Sequence, residues 1–204
     1  MATQLSKETV EEIVEFHGHM CPGLAIGIRV GEAALREVGS HSRDEEIVAQ
    51  VETDMCAVDA VQYLTGCTYG KGNLIHRDWG KNAFTFWRRS DGQSVRIVAR
   101  PDALGGVDDE ERRALLAKVR ADEATPEERE RFGKLHLQRS QAVLDAPEET
   151  IVEIHPSTAP IPRGARIHRS VVCGSCGEAT METRIRLFED RELCPPCFEA
   201  ASAR

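Results

Sequence analysis

The chain has 204 residues, 41% hydrophobic and 29% charged, with 26 Lys and Arg against 34 Asp and Glu for a net charge of −8. That is room for one substantial domain and a small accessory module. The acidic balance lacks the cationic field that non-specific nucleic-acid binding needs. No apolar run approaches the roughly 18 residues of a membrane span, and the N-terminus lacks the apolar core of a secretory signal, so a cytoplasmic protein is expected.

In chain order, Leu5, Val10, Ile13, Val14 and Phe16, with Glu and Lys between them, predict an amphipathic helix over residues 5–16. It stops at His17-Gly18-His19-Met20-Cys21-Pro22-Gly23. A second helix is expected from Leu24 to Val38, with Ala25, Gly27, Gly31 and Ala34 making one side small enough for close packing in the core. Ile47 to Glu52 reads as a strand, and Thr53 or Asp54 as the N-cap of a helix through Cys56, Val58, Val61 and Leu64 that ends at Gly66. A Gly-rich loop is expected from Cys67 to Gly80. Ala83–Arg89 and Ser94–Ala99, joined through Ser90-Asp91-Gly92-Gln93, then form the clearest hairpin.

The charged stretch from Asp108 to Leu144 is helix-forming, with Thr125 as N-cap and Pro126 as first helical residue. Ile151–Ile154 reads as a last strand. His155 to Gly164, with Pro156, Pro160 and Pro162, reads as an extended linker. The expected organisation is a core over residues 1–156, a Pro-rich linker over 157–169 and a small module over 170–204.

Cysteine use carries most of the functional information. Four of the seven cysteines form Cys173-x2-Cys176 and Cys194-x2-Cys197, with 17 residues between the pairs. This is the spacing of a four-cysteine zinc site, in which two tight turns aim four thiolates at one ion, about 2.3 Å away. A thioredoxin-type pair should open a helix within a βαβ unit, and only a linker precedes Cys173. Structural Zn²⁺ is therefore expected, supplying folding energy that so short a module cannot obtain from its core. Thr183–Phe188 has the alternation of a hairpin strand.

The other three cysteines, Cys21, Cys56 and Cys67, lie within the first third of the chain, the first of them beside His17 and His19. His17, His19 and Cys21 alternate, so an extended segment would put all three on one side. Cys21 precedes Pro22 and is expected at a helix N-terminus, where the dipole favours thiolate. Cys56 is expected near another helix start, with Asp59 and Tyr63 on its face, and Cys67 just past that helix's end. A single such cysteine is commonly a small core residue. Two histidines and a cysteine within five residues argue for a transition-metal or reactive-thiol site. Its candidate ligands are His17, His19, Cys21, Cys56 and Cys67, and its candidates for catalytic chemistry are Cys21, Cys56 and Asp59. The loop Gly66-Cys67-Thr68-Tyr69-Gly70-Lys71-Gly72 is no phosphate loop: it has three residues between its first two glycines, and Gly72 stands where Ser or Thr would hold Mg²⁺. A backbone nest for another anion remains open.

At Phe16–Gly23, at Cys56-Ala57-Val58-Asp59-Ala60-Val61-Gln62 continuing to Thr65-Gly66-Cys67-Thr68, and at Gly72-Asn73-Leu74 with Asp78-Trp79-Gly80-Lys81, the chain resembles the FmdE-like family, named for a component of formylmethanofuran dehydrogenase. The C-terminal cysteines resemble the DksA/TraR-type zinc finger that many of its members carry. The resemblance implies an α+β fold, with a mixed or antiparallel sheet packed by helices and a treble-clef or ribbon-like finger appended. It also implies a homodimer and a metal-binding cleft lined by His17, His19, Cys21, Cys56, Asp59 and Cys67.

Two functions follow as expectations. One is a metal- or thiol-dependent protein of one-carbon or redox metabolism, an accessory or an oxidoreductase-type enzyme, with zinc, iron or nickel in the core and an unidentified small-molecule ligand. The other is a metal- or ligand-sensing module whose finger engages a protein partner. Nucleic acid is the less favoured partner, because Glu178, Glu182, Glu189, Asp190, Glu192 and Glu199 offset the finger's arginines and no aromatic stacking series accompanies them.

Overall fold

The computed structural model describes residues 1–103 and 110–203. They fall into two compact units, Met1–Gly164 and Ala165–Arg204.

The first unit opens with α1 (Lys7–His17), capped by the Ser6 hydroxyl on the Thr9 N–H and closed by Gly18 at φ 97°. α2 (Pro22–Val38) follows, with Pro22 in its first turn and Cys21 as its N-cap. Then come β1 (Ile47–Val51), α3 (Ala57–Thr65), β2 (Leu74–His76), β3 (Ala83–Arg88) and β4 (Ser94–Ala99). Helices α4 (Glu110–Arg120), α5 (Pro126–Asp145) and α6 (Glu148–Ile151) precede β5 (Val152–Pro156). The sheet order is β2-β1-β3-β4-β5, with β1 and β2 parallel and the other pairs antiparallel. The fold is thus α+β around a mixed sheet. Among the described residues no helix is long and apolar enough to cross a membrane.

α2 is the spine of the core, packed on α3, α5 and β4. Its small residues set the spacing. A Cβ on Gly27 would lie 2.4 Å from the Ala57 carbonyl oxygen, and one on Gly31 would lie 2.5 Å from Leu64 Cδ1. At Gly27 the neighbour is backbone, so only glycine there lets α3 lie so close; at Gly31 it is the Leu64 side chain. α2 also carries a buried charge that the sequence pattern does not announce: Arg29 Nη1 donates to the carbonyls of Val143, Leu144 and Ala146 at 2.8–3.2 Å. Those carbonyls end α5, where the helix dipole is negative and acceptors lack helical partners, so Nη1 is satisfied on both counts, while Nε forms an ion pair with Glu32 at 3.3 Å without a hydrogen bond.

Several expectations change in detail. The N-cap of α3 is Cys56, in helical geometry, rather than Thr53 or Asp54. The loop from Cys67 to Gly80 contains β2, three residues long and hydrogen-bonded to β1. Within that loop Asn73 is buried, with Nδ2 donating to Ile47 and Asp44 carbonyls and Oδ1 accepting from the Thr68 N–H. Lys71 Nζ donates to the Ser42 carbonyl at 3.1 Å. The α5 cap is the expected one, with Thr125 and Glu128 bonding each other's backbone N–H. Asp108 and Asp109, expected to open the charged helical stretch, lie outside the described residues. Ile151 ends α6, and β5 begins one residue later.

The Pro-rich stretch after β5, expected as an extended linker, is laid against the core as far as Pro162. Ser94 Oγ donates to the Ser157 carbonyl at 2.8 Å, Trp87 Nε1 to the Ala159 carbonyl at 2.9 Å and Arg89 Nη1 to the Pro162 carbonyl at 2.7 Å. The Ser157 N–H donates to the Ser94 carbonyl at 3.3 Å, and the segment also accepts from the sheet's side chains through its carbonyls, which prolines keep although they lack an N–H.

The second unit contains hairpin β6 (Ser170–Val172) with β7 (Ala179–Met181), a 3₁₀ turn at Glu182–Arg184, hairpin β8 (Arg186–Phe188) with β9 (Arg191–Leu193), and α7 (Pro195–Ser202). The strand expected over Thr183–Phe188 therefore begins three residues later, after the 3₁₀ turn. Glu189 and Asp190, at φ 47° and 59°, make the tight β8–β9 turn. The unit's core is small: Cys173, Leu193 and Cys194, with Phe188 and Phe198 edge to face at 5.8 Å.

Candidate metal centres

In the second unit the sulfurs of Cys173, Cys176, Cys194 and Cys197 all lie within 4.8 Å of one another. The first knuckle is closed by the Cys173 N–H to the Glu178 carbonyl and the Gly177 N–H to the Cys173 carbonyl, with Gly177 at φ 77°. Cys194 caps α7, which places Cys197 in its first turn. The backbone N–H groups of Cys194, Cys176 and Ser175 hold the Cys173 thiol down, to about 6, a setting in which sulfur is readily a thiolate. Four convergent sulfurs on two such knuckles fit a tetrahedral Zn²⁺ and leave no coordination position for substrate.

The first unit holds a second cluster, in which His17, Cys21 and Cys56 each offer a donor atom within 4.8 Å of the others. Three local devices assemble it. Gly18, left-handed, ends α1 directly after His17 and turns the chain back, so that His17 Nε2 comes within 4.0 Å of Cys21 Sγ. Cys21 caps α2, its sulfur accepting the Leu24 N–H at 3.2 Å. Gly23, in the first turn of α2, leaves room for both thiols: a Cβ there would stand 3.3 Å from Cys56 Cβ and 3.8 Å from each sulfur.

Asp59, one helical turn after Cys56, accepts the His17 Nδ1 proton at 2.6 Å through Oδ2, while Oδ1 receives Gln62 Nε2 at 3.3 Å. This bond selects the tautomer with a free lone pair on Nε2, the nitrogen facing the sulfurs. The expected lowering of the Cys21 thiol by the α2 dipole is not what the structure shows. Burial pushes it up to about 11, outweighing the Leu24 N–H, and the adjacent Cys56 thiol adds to the rise.

The remaining expected residues lie elsewhere. His17 and His19 do not alternate along a strand, because Gly18 is a helix cap. The ring of His19 is 4.8 Å from that of His17, and His19 is not among the converging donors. Cys67 is apart from the cluster as well: it is buried under β1, its thiol donating to the Ile47 carbonyl at 3.5 Å, and desolvation raises it to about 11. Tyr63 reaches away to Glu12, its hydroxyl donating at 2.7 Å.

A cavity of about 340 Å³ opens on the cluster, lined by His17, Cys56 and Asp59 together with Thr53, Asp54, His76 and the apolar Val51, Met55, Val58 and Leu74. Thr53, Asp54 and His76 were not picked out as site residues in the sequence; Thr53 and Asp54 stand in the segment that leads from β1 to Cys56, and His76 reaches the cavity through the β1–β2 pairing. Their one sequence signal is their place at or just beyond the ends of β1 and β2, where parallel strands present residues to ligands.

Comparisons with known proteins agree with this organisation. Residues 16–153 match the family model described as "FmdE, Molybdenum formylmethanofuran dehydrogenase operon", and residues 168–203 match the prokaryotic DksA/TraR C4-type zinc finger. A protein of Archaeoglobus fulgidus described as a "Probable S-adenosyl-L-methionine-binding protein" is 35% identical over 178 residues, covering 84% of this chain and 48% of the relative. The chain thus spans about half the length of that relative. The crystal structure of an FmdE-like protein of the tungsten formylmethanofuran dehydrogenase type, from Syntrophus aciditrophicus, shares the fold, with a TM-score of 0.62 and 24% identity over 97% of this chain and 94% of that one. On the extent of the family match, this chain is a metal-binding member of the FmdE family that carries a C-terminal DksA/TraR-type zinc finger.

Proposed function

We propose that the core binds a transition metal through His17 Nε2, Cys21 Sγ and Cys56 Sγ, keeping a fourth position for a small molecule in the adjoining cavity. The observation that supports this most directly is the convergence of three donors within 4.8 Å. Tetrahedral zinc with bonds of about 2.3 Å needs ligand atoms about 3.8 Å apart, so only a small contraction is required. Two thiolates and an imidazole suit zinc, iron or nickel, and a three-ligand set with an open position is the catalytic rather than the structural arrangement. Bound there, the metal supplies Lewis-acid polarisation or, as iron, electron transfer. The chain's own residues do the rest. Asp59 fixes the His17 ring, Val51, Val58 and Leu74 line the cavity with apolar surface, and Asp54 and His76 offer proton-carrying groups beside it. This is a metal-dependent protein of one-carbon or redox metabolism, with the zinc finger as its structural partner module.

A second reading concerns the ligand. Asp54 and Asp59 beside an apolar wall suit a sulfonium cation, and the Archaeoglobus relative's description names S-adenosyl-L-methionine binding. Calorimetric titration with S-adenosyl-L-methionine and with its uncharged thioether product distinguishes this from a neutral ligand.

Metal analysis of the full chain tests the main reading. Two metals per chain are expected, falling to one in Cys21→Ser and Cys56→Ser. One metal throughout, unaffected by either substitution, refutes it.

A further inference from the structure

The two thiols of the core cluster stand side by side with no bond between them, their sulfurs within 4.8 Å of each other. Cys21 caps α2 and Cys56 caps α3, so each sulfur projects from the end of a helix rather than from its crowded interior. Gly23 keeps the space around them clear: the position a Cβ would take there lies 3.8 Å from each sulfur. A disulfide needs the sulfurs about 2.0 Å apart, and side-chain rotation at two helix-end residues supplies the approach. The pair is unequal. Cys56 is half-buried and lines the cavity of about 340 Å³, where a small molecule reaches it. Cys21 is 5% exposed, with its sulfur accepting the Leu24 N–H. A reachable sulfur backed by a buried one is the arrangement of an attacking and a resolving cysteine. Cys67, buried under β1 with its thiol on the Ile47 carbonyl, is outside the cluster.

We propose that Cys21 and Cys56 form a redox pair that controls the core site, open to metal as a dithiol and closed to it as a disulfide, with a low-molecular-weight disulfide as the oxidant. Cys56 Sγ displaces one sulfur of the oxidant, which departs as a thiol with the Cys56 proton, and a mixed disulfide remains in the cavity. Cys21 Sγ then attacks Cys56 Sγ and expels the second thiol, which takes the Cys21 proton. Two protein thiols are thus oxidised to one disulfide, and the oxidant is reduced to two thiols. Of the three donors only His17 is left, and one imidazole does not hold the ion. The inference rests on the metal reading above and adds the regulation of that site.

The test equilibrates the full chain, as purified with its metals, in glutathione disulfide and then alkylates the remaining thiols in denaturant. It is read at equilibrium because burial of Cys21 slows its attack. Tandem mass spectrometry of the peptides should find Cys21 joined to Cys56 and Cys67 alkylated. Metal analysis should find the core ion lost, and dithiothreitol with fresh metal should reverse both changes. Cys21→Ser, whose hydroxyl keeps the cap on α2, should stop with glutathione on Cys56. Cys21 and Cys56 both alkylated, glutathione retained on Cys56 of the wild-type chain, or a joined pair that keeps its core metal overturns the proposal. The metal reading fails separately, as a reduced chain that holds only the finger's ion. The mass readings then decide alone: a reversible Cys21–Cys56 link together with the glutathione adduct of Cys21→Ser supports the redox pair, and the absence of either overturns it.

Discussion

Replacing Gly27 by alanine probes the closest approach in the core. The new Cβ would stand 2.4, 2.6 and 2.8 Å from the carbonyl oxygen, Cα and carbonyl carbon of Ala57. All three are backbone atoms at the first residue of α3, so no side-chain rotation relieves them. Reaching ordinary van der Waals contact means parting the two helices by about 1 Å at this point. Overpacking of this kind costs about 3 kcal/mol, and the better helix propensity of alanine returns about 1, for a net loss of about 2 kcal/mol. With a urea slope of about 2 kcal/mol/M, the unfolding midpoint should fall by about 1 M. The assay is tryptophan fluorescence, because both tryptophans, Trp79 and Trp87, lie in the first unit and report it alone. Cys56 immediately precedes Ala57, so the same displacement should draw its sulfur from the cluster and reduce binding of the proposed core metal while leaving the finger's zinc. Gly133, inside α5 with nothing within 4 Å of an added Cβ, is the control. Gly133→Ala should stabilise by about 0.5–1 kcal/mol. A Gly27→Ala midpoint at or above wild type would refute the close-packing account of α2.

Asp59→Asn, which keeps shape but loses the charged acceptor on His17 Nδ1, should weaken the proposed core metal by about 10- to 100-fold, measured by competition with a chromophoric chelator, with the finger's zinc retained. Exhaustive chelation should unfold residues 165–204 and leave the core's amide NMR spectrum in place; a finger spectrum that survives metal removal contradicts the structural-zinc assignment. Glu46 is held down from 4.5 to about 2, first by the Ser42 hydroxyl and then by the Asp44 N–H. A carboxylate depressed in the folded state adds stability that is fully present above its unfolded value of 4.5 and is lost as pH falls toward 2. Glu46→Gln should therefore flatten the acid limb of the thermal-stability profile between those values, and an unchanged limb would count against the contact.

The finger was legible in the sequence because its information is local: a CxxC turn aims two sulfurs whatever surrounds it, and two such turns at the right separation define a tetrahedron. The same holds for the α5 capping box and the Ala83–Ala99 hairpin, each set by residues within a few positions of one another. The core cluster was legible only in part. His17, Cys21 and Cys56 could be named from their crowding and from expected helix ends. Their company could not, because alternation implied that His19 faces the same way as His17, whereas Gly18 caps a helix and breaks the alternation.

Residue types and spacing by themselves determined an acidic chain of helices and strands with a four-cysteine zinc module and a histidine–cysteine cluster near its start, and the family resemblance implied the α+β fold. Tertiary structure alone decided which cysteines share a site. Cys67 stands one residue past the C-cap of α3, yet the β1 ladder takes its thiol into the core, while Cys56, 35 positions from Cys21, is brought beside it because Gly23 and Gly27 let α2 and α3 pack with almost nothing between them. It also decided the cavity, since His76 reaches it only through the pairing of β1 with a three-residue strand. Contacts across such separations depend on packing distances that neither periodicity nor composition encodes.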